Sequence, residues 1–132
     1  MPSMCALSVR QPYAELITTG AKTIEVRSWR TKHRGQIVIC ATGRWHVTGV
    51  RDHGKIGPLG VVACVVDLVD VRPMKRTDAR RALCDRADCD SSLYSWVLEN
   101  ARRVEPEQVK GALGLFYINY SPILVASLSP ST

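Results

Sequence analysis

Short apolar blocks separated by polar turns run along the chain, a pattern typical of strands with few helices. The block CALSV at 5–9 predicts a short buried strand. A helical period follows over 10–20, with Pro12 in the first turn and Gly20 where the helix ends. The first elements are therefore a strand and a short helix.

Strict alternation marks the next segment, 22–29, as a half-buried strand. Ile24 and Val26 share one face, and Glu25 lies on the opposite face with the other polar side chains. A basic turn then leads into the apolar stretch 35–41. We expect the two stretches to pair as a hairpin.

Three later segments predict further strands, at 61–71, 92–106 and 114–120. The first of them is almost continuously apolar, so it is either covered on both faces or bent around a small barrel. Before the second of them, Thr77 is a candidate N-cap for a short helix over 78–84.

The number and order of these elements predict an α+β fold, with five or six mixed strands and two or three short helices in a small closed or nearly closed β-barrel. The 132 residues have the length of one domain, and 45% of them are apolar, which is enough for a single core. The segment 121–132 is expected to be a tail that docks only in part.

The charge balance favours an anionic partner. Lys and Arg number 18 against 12 Asp and Glu, a formal net charge of +6. Clustered cations release condensed counterions when they neutralise phosphates, so nucleic acid is the expected partner. Many basic proteins bind nothing anionic, and charge alone leaves that alternative open.

Five cysteines are an odd number, and three of them lie in apolar, strand-like sequence, so no disulfide framework is expected. The N-terminal residues lack the basic and apolar regions of a secretory signal. The longest apolar run, 59–66, is too short to cross a bilayer. These features predict a soluble cytoplasmic protein without a membrane partner.

Lys22 and Glu25 are the candidate catalytic pair. A lysine beside a carboxylate in a partly dry pocket can act as a base, or stay charged and orient an oxyanion. Strand alternation puts the two positions on opposite faces, so they meet only if Lys22 belongs to the turn after Gly20 or a bulge intervenes. An ordinary surface salt bridge is the alternative.

A cluster of cations surrounds Trp29 on the predicted strand and the turn after it. Its members are Arg27, Arg30, Lys32 and Arg34. Guanidinium groups bind phosphate oxygens bidentately and an indole can stack on a base, which suits single-stranded or flipped nucleotides. The alternative is a solvated edge strand that its charges protect from aggregation. A second basic block at 72–81 either extends this footprint or is a soluble helix.

Trp96, Gly111 and Gly114 are weaker candidates. Trp96 could stack on a base or shape a pocket, although a buried tryptophan usually serves packing. The two glycines would permit a bulge or a close approach of the backbone to a ligand, or simply a turn.

No metal or cofactor is expected. Cys84 and Cys89, taken with His46 and His53, do not have the short spacings of structural zinc sites. The stretch GKIGPLG at 54–60 lacks the residue order of a phosphate-binding loop.

The stretch 7–41 resembles the opening of an ASCH domain, the activating signal cointegrator homology family. The similarity is carried by Gln11-Pro12-aromatic-Ala, Gly20-x-Lys22-Thr23-x-Glu25, Arg27-Ser28-Trp29 and Arg34-Gly35. Weaker similarity extends the resemblance to about residues 6–118 of a single ASCH-like domain. It implies a β-barrel similar to PUA-domain proteins, with a cleft that receives RNA or a nucleotide. The residues expected to contact nucleic acid are Arg10, Lys22, Arg27, Trp29, Arg30, Arg34 and Trp96.

The same resemblance bears on catalysis. A bacterial branch of the family hydrolyses N4-acetylcytidine with a lysine, a threonine and a glutamate, and other members are reported to cut RNA. Lys22 matches the lysine, but Glu25 stands at the threonine position, and the motif places no further glutamate. This departure removes the obvious nucleophile and leaves open catalysis by Lys22 and Glu25 through a water.

Three hypotheses follow. The leading one is a module that binds nucleic acid, with RNA favoured, or a nucleotide. The second is a small hydrolase of modified nucleosides, or a ribonuclease, that uses Lys22 and Glu25. The third is a protein-interaction module without a cleft. A buried Lys22 beside Glu25 in a concave pocket favours the hydrolase, and a flat exposed basic strip favours binding; the oligomeric state is left open.

Overall fold

The computed structural model describes residues 3–45 and 57–125. Its elements in chain order are β1 Ser3–Gln11, α1 Tyr13–Thr18, β2 Ile24–Arg27, β3 Gly35–Trp45, β4 Val62–Pro73, α2 Ala79–Ala82, β5 Tyr94–Arg103 and β6 Leu115–Asn119. Two 3₁₀ turns, Arg76–Asp78 and Arg86–Asp88, flank α2. His46 and His53, considered above as metal ligands, lie outside the described residues.

The six strands form one mixed sheet in the order β2-β5-β4-β3-β1-β6. β1 and β3 run parallel, and the other neighbouring strands run antiparallel. Register shifts interrupt β1, β3 and β4. Such bulges bend strands and increase their twist, and the sheet curls into a half-barrel. The predicted α+β class, with six mixed strands and few short helices, is confirmed.

The predicted hairpin between 22–29 and 35–41 is wrong. β2 pairs with β5, with Ile24 opposite Val97, and β3 lies between β1 and β4. This pairing buries Ile24 in an apolar cluster with Val97, Met74 and the α2 residue Ala82. The cluster joins parts of the chain that are far apart in sequence. β2 pairs only with β5 and is therefore an edge strand of the sheet.

Besides the cluster around Ile24, alternate residues of the strands fill two larger apolar clusters, one on each face of the sheet. On one face, Leu7 and Trp96 pack with Ile17 of α1. On the other face, Val65 packs in a cluster with Tyr120. β4 is buried on both faces over most of its first half, which its continuous apolar sequence predicts.

The helices are short, with six residues in α1 and four in α2. α1 ends near Gly20, whose φ of +85° lies in the left-handed region that glycine adopts at low cost. Thr77 is not the N-cap that we expected, because a 3₁₀ turn comes first and the Asp78 carboxylate accepts the N–H of Lys75. Within 3–45 and 57–125, no helix is long and apolar enough to cross a membrane.

The described part of the tail, 121–125, runs beside the residues that follow β5, and the docking of its apolar side chains stays a prediction. Leu124 forms an isolated bridge with Val104, and the N–H of Glu105 donates to the carbonyl of Ile123 at 2.7 Å. The side chains of Ile123 and Leu124 are largely exposed, so these contacts are made by the backbone.

Candidate nucleic-acid cleft

An open cleft of about 1020 Å³ is bounded by β1, β2, the end of α2 and the segment 109–114. Among the described lining residues, the charged ones are three cations and one carboxylate: Arg10, Lys22, Arg27 and Glu25. Trp29 adds an aromatic surface. A hollow of this volume is large enough for a ligand of nucleotide size.

Lys22 belongs to the turn before β2, which is the first of the two alternatives that the sequence left open. Its N–H donates to the carbonyl of Leu16 at 3.0 Å, and Gly20 lets the chain reverse after α1. The Lys22 side chain is only 5% exposed, and its Nζ lies 3.6 Å from Oε1 of Glu25. The pair is therefore recessed and is not an ordinary surface salt bridge.

Three neighbours hold the Lys22 ammonium group. Nζ donates to the carbonyl of Ala82 at 2.6 Å, lies near Glu25, and sits 5.2 Å from the centre of the Tyr13 ring. Burial lowers the pKa of Lys22, and the negative charge of Glu25 opposes that shift. Lys22 is thus a hydrogen-bond donor that loses its proton more easily than a surface lysine.

Arg27 holds Glu25, the second member of the Lys22–Glu25 pair. Its Nε and Nη2 lie 3.1 and 2.9 Å from Oε2 of Glu25, and the same Nη2 donates to the carbonyl of Ser8 at 2.7 Å. The guanidinium therefore ties β2 to β1 and orients the Glu25 carboxylate. Its expected contact with phosphate stays a prediction, and these internal bonds compete with it.

The two tryptophans have different positions. Trp29 lines the cleft, whereas Trp96 is fully buried in the core and does not line it. The Trp96 Nε1 donates to the carbonyl of Trp29 at 3.1 Å, and the rings meet edge to face with centroids 4.8 Å apart. Trp96 is therefore placed to hold Trp29, and stacking on a base is open only to Trp29.

The remaining cations lie around the cleft. Arg10 lines it and is exposed to solvent. Arg30, Lys32 and Arg34 are exposed and follow Trp29 outside the lining. Arg34 also donates from Nη1 to two carbonyls of its own turn, at 2.8 and 2.9 Å. The basic stretch thus divides into residues inside the hollow and residues that extend from its rim.

Asp78 anchors the segment that carries one wall of the cleft. Arg72 binds its two carboxylate oxygens at 2.7 and 2.8 Å, and Ser95 donates to it at 2.8 Å. The Arg72 guanidinium holds the pKa of the Asp78 carboxyl well below its usual range. Part of the second basic block is therefore structural, while Arg80 and Arg81 remain exposed.

Sequence reasoning missed several lining residues: Ser8, Tyr13, Leu83, Cys84 and Ala112. Ser8 stands inside the family-like stretch, and Gly111 was marked only for a close backbone approach. No motif indicated that residues 82–84 close the cleft, because that wall depends on the long-range packing of α2 against β2.

Cys84 is not an activated nucleophile. Burial raises the pKa of its thiol to about 11, so the group stays protonated near neutral pH. Within the described ranges, no group of three or more His, Cys, Asp or Glu side chains could hold a metal ion. Among the described lining residues, the buried ionisable pair that faces the cleft is Lys22 and Glu25.

Comparison with known proteins agrees with this geometry. A family model described as the ASCH domain matches residues 7–108. The chain belongs to the ASCH domain family. The matched residues include Lys22, Glu25, Trp29 and the helix α2. The match ends before the segment 109–114, which also lines the cleft.

Two mammalian relatives share a local stretch with this ASCH domain. Activating signal cointegrator 1 of Mus musculus and of Homo sapiens are each 53% identical over 38 residues, which is 29% of this chain. That stretch is 6% of the length of the mammalian proteins. The likeness therefore concerns a small part of those proteins.

Solved structures support the fold over most of the chain. The crystal structure of ASCH from Zymomonas mobilis superposes with a TM-score of 0.65 at 15% identity, covering 88% of this chain and 87% of that one. A single-residue variant of the same protein gives 0.64 at 14% identity, with 88% and 90% covered. The half-barrel is thus the ASCH and PUA-like fold.

Proposed function

We propose that this ASCH domain binds nucleic acid, with RNA as the favoured ligand, by taking one nucleotide into the cleft. The observation that carries the proposal is the recessed Lys22–Glu25 pair beside Trp29 in a basic hollow. A flipped or single-stranded base needs polar groups for its edge and an aromatic surface for its face. The cleft supplies both within one recess.

Each group has a distinct part in this proposal. Lys22 donates to an acceptor on the base, and Glu25 accepts from an amino group, as acidic side chains do with cytosine. Trp29 stacks on the base, and Arg10 binds a neighbouring phosphate. Arg27 keeps the Glu25 carboxylate in position through its two-nitrogen contact.

The exposed cations after Trp29 then meet the strand outside the cleft. Arg30, Lys32 and Arg34 contact phosphates there. For Arg34 that contact competes with the two carbonyls of its own turn and with Asp70, whose Oδ1 lies 4.0 Å from Nη2. The phosphate contacts add affinity without base preference, whereas the recess selects a nucleotide.

The direct test is fluorescence anisotropy with a labelled short single-stranded RNA. Glu25→Gln is the probe variant and Glu99→Gln, at an exposed position, is its matched control. Both changes add one unit of positive charge, so both would tighten a purely electrostatic complex. We expect Glu25→Gln to weaken binding while Glu99→Gln does not; equal behaviour of the two variants would reject the cleft as the binding site.

A second candidate function has a specific observation in its favour. Lys22 is buried beside Glu25 in a concave pocket, which is the arrangement expected of a hydrolase, and burial lowers the Lys22 pKa. In that case water adds to the acyl carbonyl of an N4-acylated cytidine, the bond from the acyl carbon to N4 breaks, and a carboxylic acid and the free amine leave. Lys22 acts as base or oxyanion partner and Glu25 as acid and base.

Turnover of N4-acetylcytidine, followed by chromatography of the nucleoside products, tests this candidate. Lys22→Met should abolish turnover per folded molecule, and Lys75→Met, at an exposed lysine outside the cleft lining, should not. Absence of any turnover by the unchanged protein removes this substrate and leaves the binding proposal standing.

A further inference from the structure

The hydroxyl of Ser8 is buried and has no internal hydrogen-bond partner. Among the described residues, only this Oγ and the hydroxyl of Tyr120 have an exposed area below 1 Å² and no bonded partner. Such groups are rare in native proteins, because a buried hydroxyl without a partner costs free energy. The contacts inside the protein do not offset the cost of burying the Ser8 hydroxyl.

Ser8 lies next to the candidate pair. It lines the cleft, and its carbonyl accepts from the same Arg27 nitrogen that contacts Glu25. Two groups bonded to one nitrogen are necessarily close, so the Ser8 backbone and the Glu25 carboxylate are neighbours. The Tyr120 hydroxyl, in contrast, belongs to the second core and does not line the cleft.

Gly111 covers the Ser8 hydroxyl. A Cβ added at Gly111 would lie 2.7 Å from Ser8 Oγ, closer than such atoms approach in real structures. A methyl group at this position would press on the hydroxyl, so glycine lets the backbone pass close over Ser8. Gly111 is itself a lining residue, so the two positions meet at the wall of the cleft.

The covering segment is held only lightly. Residues 110–113 belong to no helix or strand, and the Leu113 side chain is 98% exposed. The N–H of Val109 donates to the carbonyl of Gly60 at the start of the segment. Few buried contacts and an exposed backbone are the features of regions that open locally at small cost. A bound ligand could thus displace Gly111 without disturbing the sheet.

We propose that the Ser8 hydroxyl is a ligand-binding group, which bonds the base edge or the ribose hydroxyl of the nucleotide once the Gly111 segment moves aside. The inference rests on the proposed function of the cleft. A hydroxyl can donate and accept a hydrogen bond, so it can bond either the base edge or the ribose hydroxyl. Binding gives the Ser8 hydroxyl the hydrogen-bond partner that it lacks in the free protein, and this gain adds to affinity.

Ser8→Ala and Tyr120→Phe form a matched pair of tests, because each removes one buried hydroxyl that lacks a partner. Both variants should keep or raise the melting temperature. In anisotropy with a short single-stranded RNA, Ser8→Ala should lose about three- to tenfold in affinity, the usual effect of one hydrogen bond. Tyr120→Phe should bind as the unchanged protein does.

A single-stranded DNA of the same sequence separates the two sources of the hydrogen bond. A loss confined to RNA assigns the contact to the ribose hydroxyl, and an equal loss with DNA assigns it to the base. Unchanged affinity of Ser8→Ala overturns the inference while leaving the proposed function intact. A Ser8→Ala protein that loses both stability and affinity also overturns it, since the hydroxyl would then serve the fold. Absence of binding by the unchanged protein overturns the proposed function itself.

Discussion

The Nζ atom of Lys22 lies 3.6 Å from Oε1 of Glu25 and 2.6 Å from the carbonyl of Ala82. The lysine therefore links Glu25 in β2 to Ala82 at the end of α2, which lines one wall of the cleft. Its ammonium group lies beside Glu25 and its hydrogen bond holds the wall in place, so this one side chain supports the shape of the recess.

Lys22→Met should lower stability as well as function. The change leaves the Ala82 carbonyl without its donor and removes a cation beside the buried Glu25 carboxylate. We expect a loss of about 1–3 kcal/mol in the free energy of unfolding, measured by urea denaturation. Lys110→Met, at an exposed site, should change it by less than about 0.5 kcal/mol. Equal stability of the two variants would contradict the buried contacts of Lys22.

Asp78 should make stability depend on pH in the acid range. Because Arg72 depresses its pKa, the folded protein keeps the carboxylate charged where the unfolded chain protonates it. This contribution is fully present above the usual value of 3.8 and is lost as the pH falls below it. Asp78→Asn should cost about 1–3 kcal/mol at pH 7, since it weakens charged hydrogen bonds to an Arg72 side chain that stays 25% exposed.

The measurement is urea denaturation of the unchanged protein and Asp78→Asn at several pH values from neutral to acid. The difference between them should shrink once the pH falls below the usual carboxyl range. Asp88→Asn, at an exposed position, serves as the control and should differ little from the unchanged protein at any pH. If the stability difference between the unchanged protein and Asp78→Asn does not vary with pH, ionisation of the Asp78 carboxylate is not what stabilises the fold.

Gly111 and Ser8 should be coupled energetically. Gly111→Ala places a methyl group against the Ser8 hydroxyl, so we expect it to destabilise the protein by about 1–3 kcal/mol. After Ser8→Ala the nearest remaining atom is the side-chain Cβ at position 8, 3.7 Å away, an ordinary contact. The double variant should therefore be more stable than the sum of the single changes implies. Strict additivity in this double-mutant cycle would exclude the contact.

The salt dependence of RNA affinity should depend on the exposed cations after Trp29. Each phosphate contact on a single strand contributes about 0.7 to the slope of log affinity against log salt. The double change Arg30→Ala, Lys32→Ala should thus reduce the slope by about 1.4. Lys75→Ala with Arg86→Ala removes the same charge from other exposed sites. An equal effect of both pairs would indicate that net charge alone drives binding.

Local patterns in the sequence predict the strands but not how they are arranged. The continuous apolar run of β4 follows from burial on two faces. The alternation of β2 predicts a strand but not that Glu25 is buried along with Ile24. The hairpin error arose because β2 and β3 are neighbours in sequence, whereas Ile24 pairs with the distant Val97. That choice is made by packing against Met74 in a long-range cluster, which no local period encodes.

The candidate site was predictable to a similar extent. The family-like motif led to Lys22, Glu25 and Trp29, and the structure brings all three to one cleft. Alternation alone could not decide whether the first two meet, because the answer depends on where β2 begins after the turn at Gly20. Ser8 carries no signal in the sequence, since its hydroxyl matters only through what surrounds it.

The central claim is that a nucleotide enters the recess that Lys22 and Glu25 form. NMR titration of the isotope-labelled full chain with a short single-stranded RNA tests it most directly, through the backbone amide shifts. We predict the largest changes at the cleft positions Lys22, Glu25, Trp29 and Leu83, with smaller ones at the exposed turn after Trp29. Shifts confined to that turn, or no shifts at all, would contradict the account.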